Sequence, residues 1–330
     1  MNWELILSDA LRAGIGPIAA VYALSAVGLN LHFGYTGLLN FGQVAFMLVG
    51  AYGVAVSVST FGLSLAAGVF VGLACSVVLA LLLGLPTLRL RAEYLAIATI
   101  SAGEILRLFY RSEWSEPITG GVFGLQQFAN DFYAVNPFPP DQYQFLTLMF
   151  SARDVWVLTV SWSLVAVATL VVWLLVRSPW GRVLRSVRED EDAVRSLGKS
   201  VYTYKMASLV FGGALGSIAG MLLAIQNQSV NPDSYDPVVT FYLYTLLVLG
   251  GAGRVFGPIL GSALFWAILT FLDSLLREAI SNGIIPPTVI DESEVGALRM
   301  ALVGLGLMLL MIFRPQGILG SRKEMLLDAR

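Results

Sequence analysis

Charge is scarce in this chain: Asp, Glu, Lys and Arg make up 13% of its 330 residues, against 57% hydrophobic. A soluble domain runs about 25% charged, so an ordinary soluble fold is excluded, and the mean hydropathy of +0.76 points the same way, to an integral membrane protein. Cysteine and histidine are scarcer still, with only Cys75 and His32 present. One cysteine can form neither an internal disulfide nor a Cys-cluster metal site. One histidine cannot supply a His-based metal site. No residue set reads as catalytic. A nucleotide site is missing too: AVRSLGKS at 193–200 ends like a phosphate-binding loop, but Ala193 stands where the glycine belongs and a charged helix, not a strand, precedes it. The opening stretch has acidic Glu4 and Asp9 and no basic residue ahead of its first apolar run, so it is not read as a cleaved signal peptide.

What the chain has is apolar runs long enough to cross about 30 Å of hydrocarbon. They fall at 11–31, 38–58, 62–85, 93–111, 154–176, 206–226, 238–252, 258–277 and 299–313. That predicts an all-α polytopic membrane protein of about nine spans, with eight to ten allowed because the seventh and ninth are short and Gly-interrupted. The whole of 1–330 reads as one transmembrane domain.

Between two of these runs lies the one strongly charged stretch. Residues 177–205 carry seven of the twenty Lys and Arg, which predicts a cytoplasmic loop. That orientation also puts Arg89, Arg91, Arg254, Arg314, Arg322, Lys323 and Arg330 inside, the N-terminus outside and the C-terminus inside. The long connection 112–153 and the segment 281–298 then lie outside. Within the charged stretch Val183, Leu184, Val187, Val194 and Leu197 recur at helical spacing, predicting an amphipathic helix from about Gly181 to Leu197 with Gly198 as its stop. Such a helix either lies in the lipid interface or docks in a cleft of a soluble partner.

Three further features stand out. Gly34, Gly37, Gly42, Gly50 and Gly53 interrupt an apolar segment that also holds Asn40 and Gln43. The amides either bond a neighbouring helix in close packing or belong to a broken helix that lines a permeation path. A second glycine-rich element, GGAGRVFGPILG at 250–261, holds Gly250, Gly251, Gly253 and Gly257 and echoes the first, as internally repeated transporters do. Glu104 sits inside the fourth span; it marks a functional group by default, yet Arg107 three residues on can pair with it.

Taken together, GYTGLLNFGQVAFMLVGAYG, LRAEYLAIATISAGEILRLF, ITGGVFGL, SPWGRVLRSVREDEDAVRSLGKSVYTYKMASLVFGGALGSIAGMLLA, GGAGRVFGPILGSALF and FRPQGILG resemble the membrane subunits of bacterial ABC importers for branched-chain amino acids, and within them the M-type (Liv-like) permease. The resemblance runs from Tyr22 to Leu319. Asn40-Phe41 departs from the Ser-Leu pair common in that family and leaves the substrate open.

The resemblance implies a type II-like importer permease of the bacterial cytoplasmic membrane, not itself an enzyme. It implies a second, related permease subunit around one path, two cytoplasmic ATPases that hold ATP and Mg, and an extracytoplasmic binding protein that delivers substrate. No cofactor is then expected on this chain. Residues 177–205 become the coupling loop, with Arg182, Leu184, Arg185, Val187, Arg188, Asp192, Ala193 and Gly198 engaging the ATPase. Asn40, Gln43 and Glu104 are the candidates for the path, and Gly34, Gly37, Gly42, Gly250, Gly251, Gly253 and Gly257 for breaks in its helices. Urea or short amides, other neutral amino acids and aromatic breakdown products remain alternative cargoes. An ion-coupled secondary transporter would want midplane carboxylates, of which only Glu104 qualifies, and would not need the charged loop. A channel-like scaffold would need neither that loop nor the paired glycine elements.

Overall fold

The computed structural model describes residues 3–145, 148–282, 294–314 and 316–320. Most of the segment expected outside at 281–298, and Arg322, Lys323 and Arg330, lie outside the described residues.

The N-terminal apolar run is divided at Gly16 and Pro17. Helix α1 (Trp3–Ile15) ends before Gly16 and α2 (Pro17–Asn30) begins on Pro17, whose ring fixes φ and offers no N–H to an upstream carbonyl. Helix α1 lies against a later helix, where Gly14 meets the backbone of Ala263. Helix α2 is buried almost all round and runs on through a π-helical turn, Leu31–Tyr35. Residues 36–42 are irregular, and α3 (Gln43–Ser59) follows, again buried on nearly every side. A helix apolar all round belongs in the centre of a bundle.

Helix α4 (Leu65–Thr87) is started by Ser64, whose hydroxyl accepts from Ala67 N, and turns one side outward. Helix α5 (Ala92–Arg111) carries Glu93, Glu104, Arg107 and Arg111 and buries only Leu95, Thr99 and Gly103. The connection that follows contains α6 (Glu116–Thr119), strand β1 (Leu125–Gln126), α7 (Asn130–Ala134), and the antiparallel strands β2 (Gln142–Phe145) and β3 (Leu148–Ser151). Helix α8 (Ala152–Arg177) opens with a capping box in which Ser151 and Asp154 satisfy each other's backbone donors.

The charged stretch forms two helices, α9 (Pro179–Glu189) and α10 (Glu191–Ser196), where the periodicity predicted one. Asp190 is extended and its carboxylate accepts from the N–H groups of Asp192 and Ala193, so it caps a new helix and does not continue the old one. Gly198 then ends α10 with φ +73°. Helix α11 (Val201–Asn227) packs between α2 and α3; Gly212, Gly216 and Gly220, four residues apart on one face, let those backbones approach closely. Strand β4 (Ser229–Val230) pairs with β1, and a 3₁₀ turn, Pro232–Tyr235, leads into α12 (Val238–Gly250). Helix α13 (Gly257–Ser281) carries α1, α2 and α12 on its sides, and α14 (Val295–Phe313) ends the helical part.

Six helical stretches among the described residues are long and apolar enough to cross a membrane: Trp3–Tyr35, Leu65–Thr87, Ala152–Arg177, Val201–Asn227, Gly257–Ser281 and Val295–Phe313. Gln43–Ser59 and Val238–Gly250 are shorter apolar helices. The main apolar core lies among α2, α3, α11, α12 and α13. The protein is a polytopic all-α membrane protein.

Candidate coupling and translocation site

The two glycine elements, more than two hundred residues apart in sequence, meet in space. Residues 31–42 break the path from α2 to α3, and residues 251–256 break the path from α12 to α13. A break in a membrane helix frees backbone donors and acceptors, and each needs a partner where water is absent. Here the partners can be named.

At the junction, Asn30 bridges the two breaks. Its Nδ2 donates to Arg254 O at 2.8 Å and its Oδ1 accepts from Gly253 N at 2.8 Å. Gly34 is pressed so closely against this contact that a Cβ there would run into Asn30 Oδ1 and the Gly253 backbone. Gly253 has φ +74°, a conformation that disfavours any residue with a Cβ. Gly250 closes α12, Gly251 caps it and Gly257 opens α13. The tail segment 316–320 covers the end of α12: Ile318 N donates to Leu249 O at 3.0 Å and Leu319 N to Gly250 O at 3.1 Å.

Within the first break, Asn40 Oδ1 accepts from Gly42 N at 2.9 Å, which leaves Nδ2 to donate to His32 Nδ1 at 3.1 Å. His32 Nδ1 is therefore an acceptor, so its proton sits on Nε2, which donates to Ser208 O at 3.1 Å. A neutral imidazole satisfies both contacts. Gln43 Nε2 donates to Gly212 O at 3.1 Å and Ser25 O at 3.3 Å. Phe41 N donates to Thr99 Oγ1 of α5 at 3.0 Å, Val44 N to Thr240 Oγ1 of α12 at 3.2 Å, and the Tyr244 hydroxyl to Asn40 O at 3.1 Å. Asn40 and Gln43 are thus almost wholly buried and bond neighbouring elements of the same chain. In this conformation neither amide faces an open surface, because their polar atoms are used to hold the broken segment. Beside them Phe41 stacks on Tyr244 with ring centroids 4.5 Å apart and touches Phe241, which is half exposed.

Helix α9 is seated on this junction. Arg188 Nη1 donates to Gly34 O at 2.6 Å, and Gly37, with φ +75°, lies against the Arg188 side chain. Leu184 is fully buried with Val27, Leu31, Tyr35, Val172 and Val176, and Val187 is buried with Val194 and Val201. The apolar stripe therefore faces the bundle, not a soluble partner, because the bundle already offers it an apolar seat. Arg185 extends over the ring of Tyr35. The outward side presents Arg182, Ser186 and Glu189, from α10 Asp192 and Ala193, and just past its end Leu197, 80% exposed. Helix α10 is tied to α11 by the ion pair of Glu191 with Lys205 and braced by Arg195, which holds both Glu191 and Asp192.

Glu104 lies five residues along α5 from Thr99, the residue that bonds the first break, and does not itself bond it. Arg107 grips both its oxygens, at 2.6 and 2.9 Å, and also reaches Asp233 Oδ1 at 2.9 Å, with Arg111 on the same oxygen at 3.2 Å. The cluster pins α5 to the 3₁₀ turn ahead of α12. Sequence periodicity finds the Glu104–Arg107 pair but not Asp233. It also passes over Asn30, Ser208, Thr99, Phe41, Phe241 and Tyr244, which only the tertiary fold brings together.

The family model described as "Branched-chain amino acid transport system / permease component" matches residues 15–313. The high-affinity branched-chain amino acid transport system permease protein LivM of Salmonella typhimurium is 30% identical over 346 residues, covering 98% of this chain and 73% of that protein. The probable LivM of Methanocaldococcus jannaschii is 26% identical, with 92% and 91% covered. Among solved structures, PsaBC from Streptococcus pneumoniae in complex with Fab aligns with a TM-score of 0.44 and 14% identity over 98% of this chain and 95% of that one. The chain belongs to the family of permease components of branched-chain amino acid transport systems.

Proposed function

We propose that this permease works in an ATP-driven importer for branched-chain or other small neutral amino acids. The observation that carries the proposal is the seat of α9: an amphipathic helix outside the apolar spans is hydrogen-bonded through Arg188 to the point where both helix breaks meet. Packed elements move as bodies, so displacing α9 displaces the breaks. The work comes from two ATPase subunits that hold ATP and Mg and bind the outward face of α9 and α10 at Arg182, Ser186, Glu189, Asp192 and Ala193. Residues 177–205 are then cytoplasmic, the C-terminus lies on the same side, and 112–153 faces the binding protein.

A second, related permease completes the path. The open side of α5 supports this: Ile97, Ser101, Ile105 and Leu108 are exposed along one face next to the partly exposed Glu104, a mixed surface unsuited to lipid alone. Phe41 is bonded through its N–H to Thr99 of α5, and Phe241 packs on the Phe41 ring. Asn40 and Gln43 shape the path by holding its broken wall, and a zwitterion crosses by weak contacts, since tight binding at midplane would trap it.

The test is reconstitution with the ATPases and binding protein. Arg182→Glu with Ser186→Glu should leave the melting temperature unchanged yet abolish substrate-stimulated ATP hydrolysis and leucine uptake. Full stimulation in the double variant would remove α9 from the coupling role; uptake of urea in place of leucine, isoleucine and valine would change the cargo and keep the mechanism.

A further inference from the structure

One side of the molecule carries a groove that neither coupling nor translocation uses. It runs along α8 beside the start of α13 and is walled by Trp162, Val165, Leu170, Trp173, Phe256 and Ile259, with a volume of about 750 Å³. From Trp162 to Trp173 is eleven residues, about 16 Å of helix. That is half of a hydrocarbon core of about 30 Å, the depth of one leaflet.

The groove is closed by charge at one end. Trp173 and Phe256 also line an adjoining cavity of about 410 Å³ whose other walls include Arg177 and Arg185. The Arg177 guanidinium lies 4.0 Å from the Trp173 ring centroid, held at the mouth of the groove. Arg185 bends over Tyr35 and reaches Val176 O only at 3.5 Å. Among the described residues no carboxylate pairs with either arginine. Glu189 lines the next cavity along with Arg185 and Arg188, at no ion-pair distance from them.

We propose that this is a binding site for an anionic phospholipid, with one acyl chain along the α8 groove and the headgroup phosphate on Arg177 and Arg185. An apolar slot one leaflet deep fits an acyl chain, and guanidinium groups at its mouth match phosphate oxygens in geometry and charge. A zwitterionic lipid fills the same slot but brings its own cation to an already cationic mouth. Because Arg185 belongs to the surface of α9, the bound headgroup joins the end of α8 to the coupling helix. The inference rests on the membrane placement of α8 and not on the transport reading, and its test involves no transport.

The purified full chain, delipidated in detergent, is offered phosphatidylglycerol or phosphatidylcholine of the same acyl length, and retained lipid is read by native mass spectrometry. The expected result is preferential retention of phosphatidylglycerol. Arg177→Gln should lower the preference about fivefold, the worth of one basic residue at an anionic surface, while Ala166→Trp, at an exposed residue that also lines the groove, fills it and should remove both lipids. Equal retention of the two lipids by the unaltered protein overturns the proposal, as does undiminished binding in Ala166→Trp. Ala166→Cys in a Cys75→Ser background, carrying a thiol-attached benzophenone, settles the competing occupant: if irradiation cross-links it to the second permease in the assembled importer, a subunit covers the groove and the lipid site is refuted.

Discussion

Replacing Asn30 with leucine probes the meeting of the two breaks at its centre. Leucine nearly matches the asparagine in size but can neither donate to Arg254 O nor accept from Gly253 N, contacts of 2.8 Å each in a side chain 1% exposed. The orphaned Gly253 N and Arg254 O are part-buried, so each costs at most about 1–3 kcal/mol and the change should destabilise by up to about 2–6 kcal/mol if neither finds a new partner. Re-pairing within the membrane would reduce this to about 1 kcal/mol, since interhelical hydrogen bonds there average about 0.6 each. Gly34→Ala attacks the same point by a different route, driving a methyl group into Asn30 Oδ1 and the Gly253 backbone without removing any polar atom; overpacking of this kind costs about 1–3 kcal/mol. Both changes separate the same two segments, so the double variant should lose less than the sum of the singles. Unfolding by denaturing detergent, followed by tryptophan fluorescence, measures all three. A loss below about 0.5 kcal/mol for Asn30→Leu, or strict additivity of the pair, would refute the reading that one junction holds both breaks.

Three other expectations concern separate parts of the structure. Arg107→Met takes from Glu104 and Asp233 the cation they share and leaves Asp233 only Arg111; with both carboxylates partly exposed it should cost about 0.5–1 kcal/mol, with faster hydrogen exchange at 231–236, and Glu104→Gln should cost less. Leu184→Ala opens a cavity under α9 and should destabilise by about 2–5 kcal/mol, read by thermal unfolding, with α9 becoming the first site of limited proteolysis. Phe41→Ala removes a stacked ring pair worth about 0.5–1.5 kcal/mol and should change uptake rate in proteoliposomes by far more than that loss of stability explains; parallel changes in both would reduce Phe41 to a packing residue.

Much of the architecture is written locally and was therefore legible. A helix lies on each apolar run, although the first run is divided and α5 on the fourth is not among the stretches apolar enough to cross a membrane; Gly198 ends the charged segment as a glycine with positive φ should, and Glu104 meets Arg107 because residues three apart share a helix face. What escaped was of two kinds. Some signals were present but outweighed: Pro17 after Gly16 divides the first run, and Asp190 followed by Glu191 and Asp192, with Arg195 in the last turn, is a capping signature inside a charged helix pattern. Others had no local trace. Periodicity identifies an amphipathic face on α9 without saying whether bundle or soluble partner covers it, and the buried Leu184 belongs to the bundle. Nothing near Asn30 in sequence announces Gly253, and nothing near Arg107 announces Asp233.

The partners that satisfy the broken backbone explain how irregular helices can serve a moving protein. Six freed groups at the breaks are met by other elements: Gly34 O by Arg188 of α9, Gly253 N and Arg254 O by Asn30 of α2, Phe41 N by Thr99 of α5, Val44 N by Thr240 of α12, and Gly250 O by the tail. An unbroken helix would satisfy all of these internally and would bind its neighbours only by packing. Here the missing internal bonds become bonds between elements, so the breaks act as cross-links among α2, α5, α9 and α12. Moving α9 while Arg188 keeps Gly34 O must carry the 31–42 segment, and through it the contacts to Thr99 and Tyr244. Leaving Gly34 O unpaired in a buried site would cost about 1–3 kcal/mol, more than the worth of a typical single packing contact, so the bond favours motion as a unit over separation.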